Sequence, residues 1–297
     1  MDRRDFFKTL AVTTGAILVT PQIAHAGTHQ KEIKDSWMGC LVDLTLCNGC
    51  RKCEWACAKA NERNFNPLET YEDKTVFKDY RRFTNHEYTV VNRIKNVGGY
   101  GTTVYVKSQC FQCNDPACVS ACLVGAFSKE DNGTVLYDPW KCMGCRYCMV
   151  ACPFQIPTYE YFNALTPQVR KCTFCHHKIS EEGGVTACAK ECPVEAITYH
   201  NRKDLIRIAK NKIRRYPTKY INHIYGETEV GGTSWLYISG VPFEQLGFPT
   251  LTDQPMPSFT EPIQHGIFNH FIPQIALFAF LAAAMYQYRG KNGDSGE

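Results

Sequence analysis

Sixteen of the 17 cysteines in this chain fall into four groups of four, and that grouping constrains the fold more than any other feature. The first group is Cys47, Cys50, Cys53 and Cys57. The second is Cys110, Cys113, Cys118 and Cys122. The third is Cys142, Cys145, Cys148 and Cys152, and the fourth is Cys172, Cys175, Cys188 and Cys192. The first and third share the spacing C-x2-C-x2-C-x3-C. The second widens one gap, C-x2-C-x4-C-x3-C, and the fourth carries a longer insert, C-x2-C-x12-C-x3-C. Cys40 stands outside the groups and reads as a small buried or partly buried thiol.

Three chemistries use cysteines at this density. Disulfides suit short secreted domains, whereas this chain has 297 residues. Cysteines two residues apart also meet the geometry of an S–S bond poorly. Zinc takes C-x2-C pairs, but as two pairs across a longer loop. It does not account for three or four cysteines run together and then repeated, and it is kept as the alternative reading: a zinc-binding structural or assembly module. The third chemistry is iron–sulfur. The stretch KCMGCRYCMVACP at 141–153 resembles the bacterial ferredoxin signature C-x2-C-x2-C-x3-C-P. There three thiolates hold one cluster and the fourth reaches the neighbouring one.

Internal repetition extends this reading to the other groups. Residues 49–57 read GCRKCEWAC and residues 144–152 read GCRYCMVAC. CLVGAFS at 122–128 is matched by CPVEAIT at 192–198. Ligand runs and their flanks recur together, as duplicated units require. Proline follows Cys152 and Cys192 but not Cys57 or Cys122, a departure that removes no ligand. Sixteen cysteines supply four ligands to each of four [4Fe–4S] clusters.

Over residues 36–200 the chain resembles the four-cluster ferredoxin-like electron-transfer subunits of the dimethyl-sulfoxide-reductase, formate-dehydrogenase and hydrogenase complexes. The likeness runs furthest with iron–sulfur subunits of membrane-bound [NiFe] hydrogenases of the hydrogenase 2 type. It extends there into YGETEVGGTSWLYISGVPFEQL (225–246) and EPIQHG (261–266). The resemblance implies how ligands are shared. One cluster takes Cys47, Cys50, Cys53 and Cys192, and a second Cys57, Cys172, Cys175 and Cys188. A third takes Cys110, Cys113, Cys118 and Cys152, and a fourth Cys122, Cys142, Cys145 and Cys148. The spacing alone establishes only that ligands are exchanged within a two-cluster unit.

The ends of the chain carry a second kind of signal. Arg3-Arg4, Phe6-Phe7 and Lys8, a weakly apolar run from Leu10 to Thr20 and Ala24-His25-Ala26 resemble a twin-arginine export signal over 1–26. A Sec signal is the rival, disfavoured by Thr13, Thr14 and Gly15 in the apolar run. Near the other end, residues 267–288 are expected to form a single transmembrane helix. Its 22 residues would reach about 33 Å, against a hydrocarbon core of about 30 Å. A buried core helix is the competing reading, because Asn269, His270, Pro273 and Gln274 leave only Ile275–Met285 uninterrupted. Arg289 and Lys291 would leave residues 289–297 as a cytoplasmic tail.

Between the ligand runs, residues 87–108 read as a hairpin turning at Gly98–Gly101, and Asp131-Asn132-Gly133 as a tight turn. Residues 201–216 place Leu205, Ile206, Ile208, Ala209 and Ile213 near one helical stripe, a surface helix with a core-facing edge. Residues 235–238 read as a strand or extended arm. His176 and His177 read as solvated loop residues, since the fourth group already has its cysteines. The net charge of +4 is too small to argue for nucleic acid.

The expected architecture is therefore α+β. Two pseudo-twofold-related, bacterial-ferredoxin-like dicluster units are followed by a docking extension over 201–262 and the membrane helix. The expected function is electron relay, without catalytic residues, between periplasmic catalytic subunits and an integral membrane quinone-reactive subunit, at the lipid surface of the inner membrane. Hydrogenase small and large subunits are the expected catalytic partners. A molybdopterin oxidoreductase is the alternative.

Overall fold

A computed structural model describes residues 33–63, 66–98, 101–163, 165–182, 184–261 and 278–285. The expected signal segment, 1–26, lies outside the described residues. The chain divides into two compact units, residues 30–257 and a smaller one made of 1–29 with 258–297.

The first unit is α+β. Strand β1 (Met38–Asp43) leads into the first cysteine run, which ends in helix α1 (Lys52–Ala60). Strands β2 (Thr89–Val97) and β3 (Thr102–Gln109) form the expected antiparallel hairpin, with a register shift between Ile94 and Val97. The second run ends in α2 (Ala117–Ser120) and is followed by the hairpin β4 (Phe127–Lys129) and β5 (Val135–Tyr137). Its turn is the expected one: Asn132 Oδ1 accepts both Thr134 N–H and Thr134 Oγ1–H. The third run ends in α3 (Tyr147–Ala151), and β6 (Thr158–Tyr159) pairs with β7 (Val169–Arg170). Helices α4 (His176–Glu182) and α5 (Ala187–Lys190) belong to the fourth run, before β8 (Ile197–Asn201).

The C-terminal part of this unit closes the core. Helix α6 (Arg202–Arg215) starts where the Asn201 side chain accepts Lys203 N–H at 3.0 Å, an N-cap. Leu205, Ala209 and Ile213 lie four residues apart and are buried against Leu41, Leu236 and Ile238. Burying a leucine at such a position contributes about 1.5–3 kcal/mol. Strand β9 (Trp235–Ile238) is inaccessible along its whole length. The sheet order is β8-β1-β9, with β1 antiparallel to β8 and parallel to β9. Arg202, itself buried, donates to the carbonyls of Thr233, Gly226 and Glu227, which fastens the 226–233 loop to the start of α6. Residues 201–257 thus pack as part of this unit rather than as a loose arm.

The expectation of a transmembrane helix over 267–288 is overturned. Among the described residues no helix is long and apolar enough to cross a membrane. Residues 278–285 of the smaller unit are helical. They rise about 12 Å, far short of the roughly 30 Å of a bilayer core. The rest of 267–288 lies outside the described residues. The physical reason is in the composition: Pro273 lacks a backbone donor, and Asn269, His270 and Gln274 are costly in hydrocarbon, so the apolar run is too short.

Candidate iron–sulfur centres

The opening C-x2-C of each of the four runs turns in the same way. The residue directly before the second cysteine has a left-handed backbone in each: Gly49 (φ 69°), Gln112 (53°), Gly144 (75°) and Phe174 (58°). At two of these positions only glycine fits. A Cβ on Gly49 would sit 2.3 Å from the Tyr105 ring, and one on Gly144 would sit 2.8 Å from Tyr159 Oη. Gln112 and Phe174 carry the strain because burial holds them. The Gln112 amide donates to Cys172 O at 2.8 Å, and its oxygen accepts Val135 N–H at 2.6 Å. Phe174 packs edge-on to Trp235.

The C-x3-C half of the first run works by helical geometry, with both cysteines on α1. Residues four apart lie on one helix face, about 6 Å apart along the axis. Helix α1 therefore presents Cys53 to one cavity and Cys57 to the next. After three of the last cysteines the chain reverses through another left-handed residue, Gly125 (φ 61°), Gln155 (51°) and Glu195 (49°). Each donates its N–H back to the cysteine carbonyl three residues earlier, at 3.2, 3.0 and 3.2 Å. Cys57 is the exception, because α1 continues past it. The sequence repeat is thus a repeat of backbone shape.

Three cavities collect the cysteines. One, of about 370 Å³, is lined by Cys47, Cys50, Cys53 and Cys192. A second, of about 310 Å³, is lined by Cys57, Cys172, Cys175 and Cys188. A third, of about 380 Å³, is lined by Cys110, Cys113, Cys118 and Cys152. Cys122, Cys142, Cys145 and Cys148 form a fourth, more open cluster: Cys148 lies among the charges of the other three, and Cys145 is exposed. The sites follow one another. Lys107 lines both the first and second. Cys172 of the second and Cys110 of the third pack in one small core, and Cys118 of the third feels Cys148 of the fourth.

The donor chemistry fits a multi-iron cluster. A single ion is gripped by thiolates at about 2.3 Å, yet among the described residues no three His, Cys, Asp or Glu side chains converge on one ion. The thiols instead stand in fours around shared cavities. When bound, a [4Fe–4S] cluster supplies one-electron redox chemistry, its potential set by burial and by hydrogen bonds to sulfur. The chain already aims such bonds: Ala126 N–H at Cys122 Sγ (3.1 Å), Phe174 N–H at Cys172 Sγ (3.3 Å) and Gly144 N–H at Cys142 Sγ (3.4 Å). Burial pushes the thiols up, Cys47, Cys152 and Cys175 to about 11, and Cys148 and Cys172 to about 12. Binding iron must therefore expel protons.

Other residues differ from the sequence expectation. Cys40 is fully buried, as expected, with its sulfur 3.6 Å from Thr186 Oγ1. His176 is not a solvated loop residue. It begins α4, and its Nδ1 lies 2.9 Å from Thr134 Oγ1, tying the fourth run to the β4–β5 turn. His177 is exposed and meets Ala60 O. The buried Lys107 and Gln112 were not foreseen: each sits among polar and apolar neighbours in a pattern that carries no burial signal.

Comparison with known proteins agrees with this geometry. Residues 102–202 match the model of a 4Fe-4S dicluster domain. A protein of Nitratidesulfovibrio vulgaris Hildenborough is 46% identical over 254 residues, 83% of this chain, which spans 66% of that protein's length. The hydrogenase-2 operon protein HybA of Escherichia coli O157:H7 is 35% identical, with 95% of this chain and 94% of HybA covered. The iron-sulfur subunit of the nitrate-inducible formate dehydrogenase of E. coli K12 is 30% identical over 203 residues, with 67% of this chain and 66% of that subunit covered. With its cysteine runs folded around shared cavities, the chain belongs to the family of iron–sulfur electron-transfer subunits that includes HybA and the iron–sulfur subunits of formate dehydrogenase and dimethyl sulfoxide reductase.

Proposed function

We propose that this subunit relays electrons through four [4Fe–4S] clusters between a catalytic subunit that oxidises hydrogen and a quinone-reactive membrane partner. The observation that carries the reading is the succession of four cysteine sites, each adjoining the next. Cys47, Cys50, Cys53 and Cys192 hold the first cluster, Cys57, Cys172, Cys175 and Cys188 the second, Cys110, Cys113, Cys118 and Cys152 the third, and Cys122, Cys142, Cys145 and Cys148 the fourth. The hydrogenase assignment rests on the near-complete coverage of HybA. The fourth site is an electron port. Near the exposed Cys145 in sequence, Trp140 (96% exposed), Val150 (81%), Met143 and Tyr147 are exposed apolar side chains of the kind a partner subunit would cover. Arg3-Arg4 and Ala24-His25-Ala26 support export of the loaded chain to the periplasm.

Anaerobic purification with metal and acid-labile sulfide analysis tests the clusters. About 16 iron and 16 sulfide per chain is expected, as four cubanes require. Zinc without sulfide would sink the reading. Co-purifying subunits identify the partner, and a molybdenum enzyme there would overturn the hydrogen assignment. Arg3→Lys with Arg4→Lys should hold the chain in the cytoplasm.

A further inference from the structure

Lys107 is a buried cation with no carboxylate. It is 2% exposed, and none of the ion pairs among the described residues includes it. An ammonium has three N–H donors. Among the described residues one hydrogen-bond acceptor serves them, Gln109 Oε1 at 2.5 Å. Gln109 is fixed in turn, its amide donating to Tyr237 Oη at 2.5 Å, and Tyr237 Oη–H donates to Lys107 O at 3.1 Å. The ammonium lies 4.3 Å from the Trp235 ring centroid. That leaves a full positive charge held rigidly between the first and second cysteine cavities, whose walls it shares. Cys188 of the second and Cys53 of the first are the sulfurs that act on it most strongly.

A buried charge without a counter-charge costs several kcal/mol. Four thiolates leave a ligated cluster negative overall, so clusters on both sides provide the missing counter-charge. Adding an electron makes each cluster more negative, and a nearby fixed cation favours that reduced form. The same cation therefore acts on both clusters, in the same direction.

We infer that Lys107 is a shared electrostatic setting for the first two clusters, raising the reduction potentials of both and leaving the third and fourth to other groups. Lys107 is a positioning residue for charge rather than a ligand. The inference rests on the four-cluster reading of the cysteine sites. It adds that one side chain moves two neighbouring potentials in the same direction, leaving the step between them to other groups.

The test is redox potentiometry followed by EPR on the purified full-length subunit, in the wild type, Lys107→Met and Lys107→Arg. Iron and sulfide counts are taken first, so that failure of the four-cluster reading is seen separately. In Lys107→Met two of the four potentials should fall together, each by at least a tenfold change in the reduction equilibrium, about 59 mV for one electron. The other two should stay put. Lys107→Arg keeps the charge and should restore the pair. Gln109→Glu provides an independent arm: it keeps the lysine but neutralises it with a carboxylate, and it should lower the same two potentials. No shift, a shift of one cluster alone or an equal shift of all four overturns the inference. If Lys107→Met loses the first two clusters, Gln109→Glu decides. Loss in both variants would make Lys107 a folding residue and overturn the inference equally.

Discussion

Glu54 is the residue on which the first two sites lean, and Glu54→Gln measures how much. It sits on α1 between Cys53 and Cys57, and is 5% exposed. Its carboxylate accepts Arg51 Nε at 3.0 Å, Arg81 Nη1 at 2.9 Å and Val91 N–H at 2.6 Å. The last bond ties α1 to β2. Arg51 is itself buried and pairs with no other carboxylate among the described residues. The amide can still accept from Val91, but it leaves Arg51 as an unpaired buried charge. Breaking a buried pair in this way costs about 3–5 kcal/mol. For a unit of this size that is a loss of about 6–20 °C in melting temperature. Glu87→Gln is the control. Glu87 also pairs with Arg81 but is 38% exposed, so its loss should cost under about 1 kcal/mol. Anaerobic thermal unfolding with the iron count of each variant is the assay. If Glu54→Gln melts with Glu87→Gln and keeps all its iron, the account of α1 as held by this buried network is wrong.

Three further outcomes follow from the geometry. Gly144→Ala combines a left-handed backbone, about 1–2 kcal/mol for a residue with a Cβ, with a 2.8 Å approach to Tyr159 Oη. It should selectively lose the fourth cluster, leaving about 12 iron, and full occupancy would refute it. The raised thiols predict a pH effect of definite sign. With Cys47, Cys152 and Cys175 moved from 9.0 to about 11, the folded unloaded chain binds more protons than the unfolded one above pH 9. Its stability is full below that pH and is lost as pH rises through 11, so denaturation midpoints of the reduced, iron-free chain should fall between pH 8 and about 10. A rise would contradict the burial of these thiols. Cys40→Ala should leave iron and sulfide unchanged at about 16 each, and a loss of four iron would make Cys40 a ligand.

Much of the site was legible because cluster chemistry needs cysteines at fixed spacings, and spacing is visible in one dimension. The β2–β3 hairpin was legible for the same reason: alternation and glycines are local. What stayed hidden depends on distant partners. β1 pairs in parallel with β9, Cys40 opposite Trp235, and no local pattern announces a neighbour so far along the chain. Lys107 follows Val106 in a strand whose first residues are exposed, and only Gln109, Tyr237 and Trp235 show why it is buried. Gln112 and Phe174 hold a turn that glycine takes at Gly49 and Gly144, so residue type alone misses that all four turns are alike. The membrane helix was read from apolar composition, and among the described residues no helix long enough to cross a membrane is found.

The position of β9 also sets a schedule for making the protein. Its Trp235 walls the second cavity and backs Lys107, yet it lies 43 residues beyond Cys192, the last cysteine of the four runs. A nascent chain that has already displayed every cysteine still lacks part of that cavity. Iron offered at that stage meets thiols open to water and to oxidation. Only after the ribosome has released residue 238 can β9 dock beside β1 and close the wall. Cluster insertion at the second site is thus tied to completion of the strand, and a chain broken off before it carries all the ligands without a finished vessel for them.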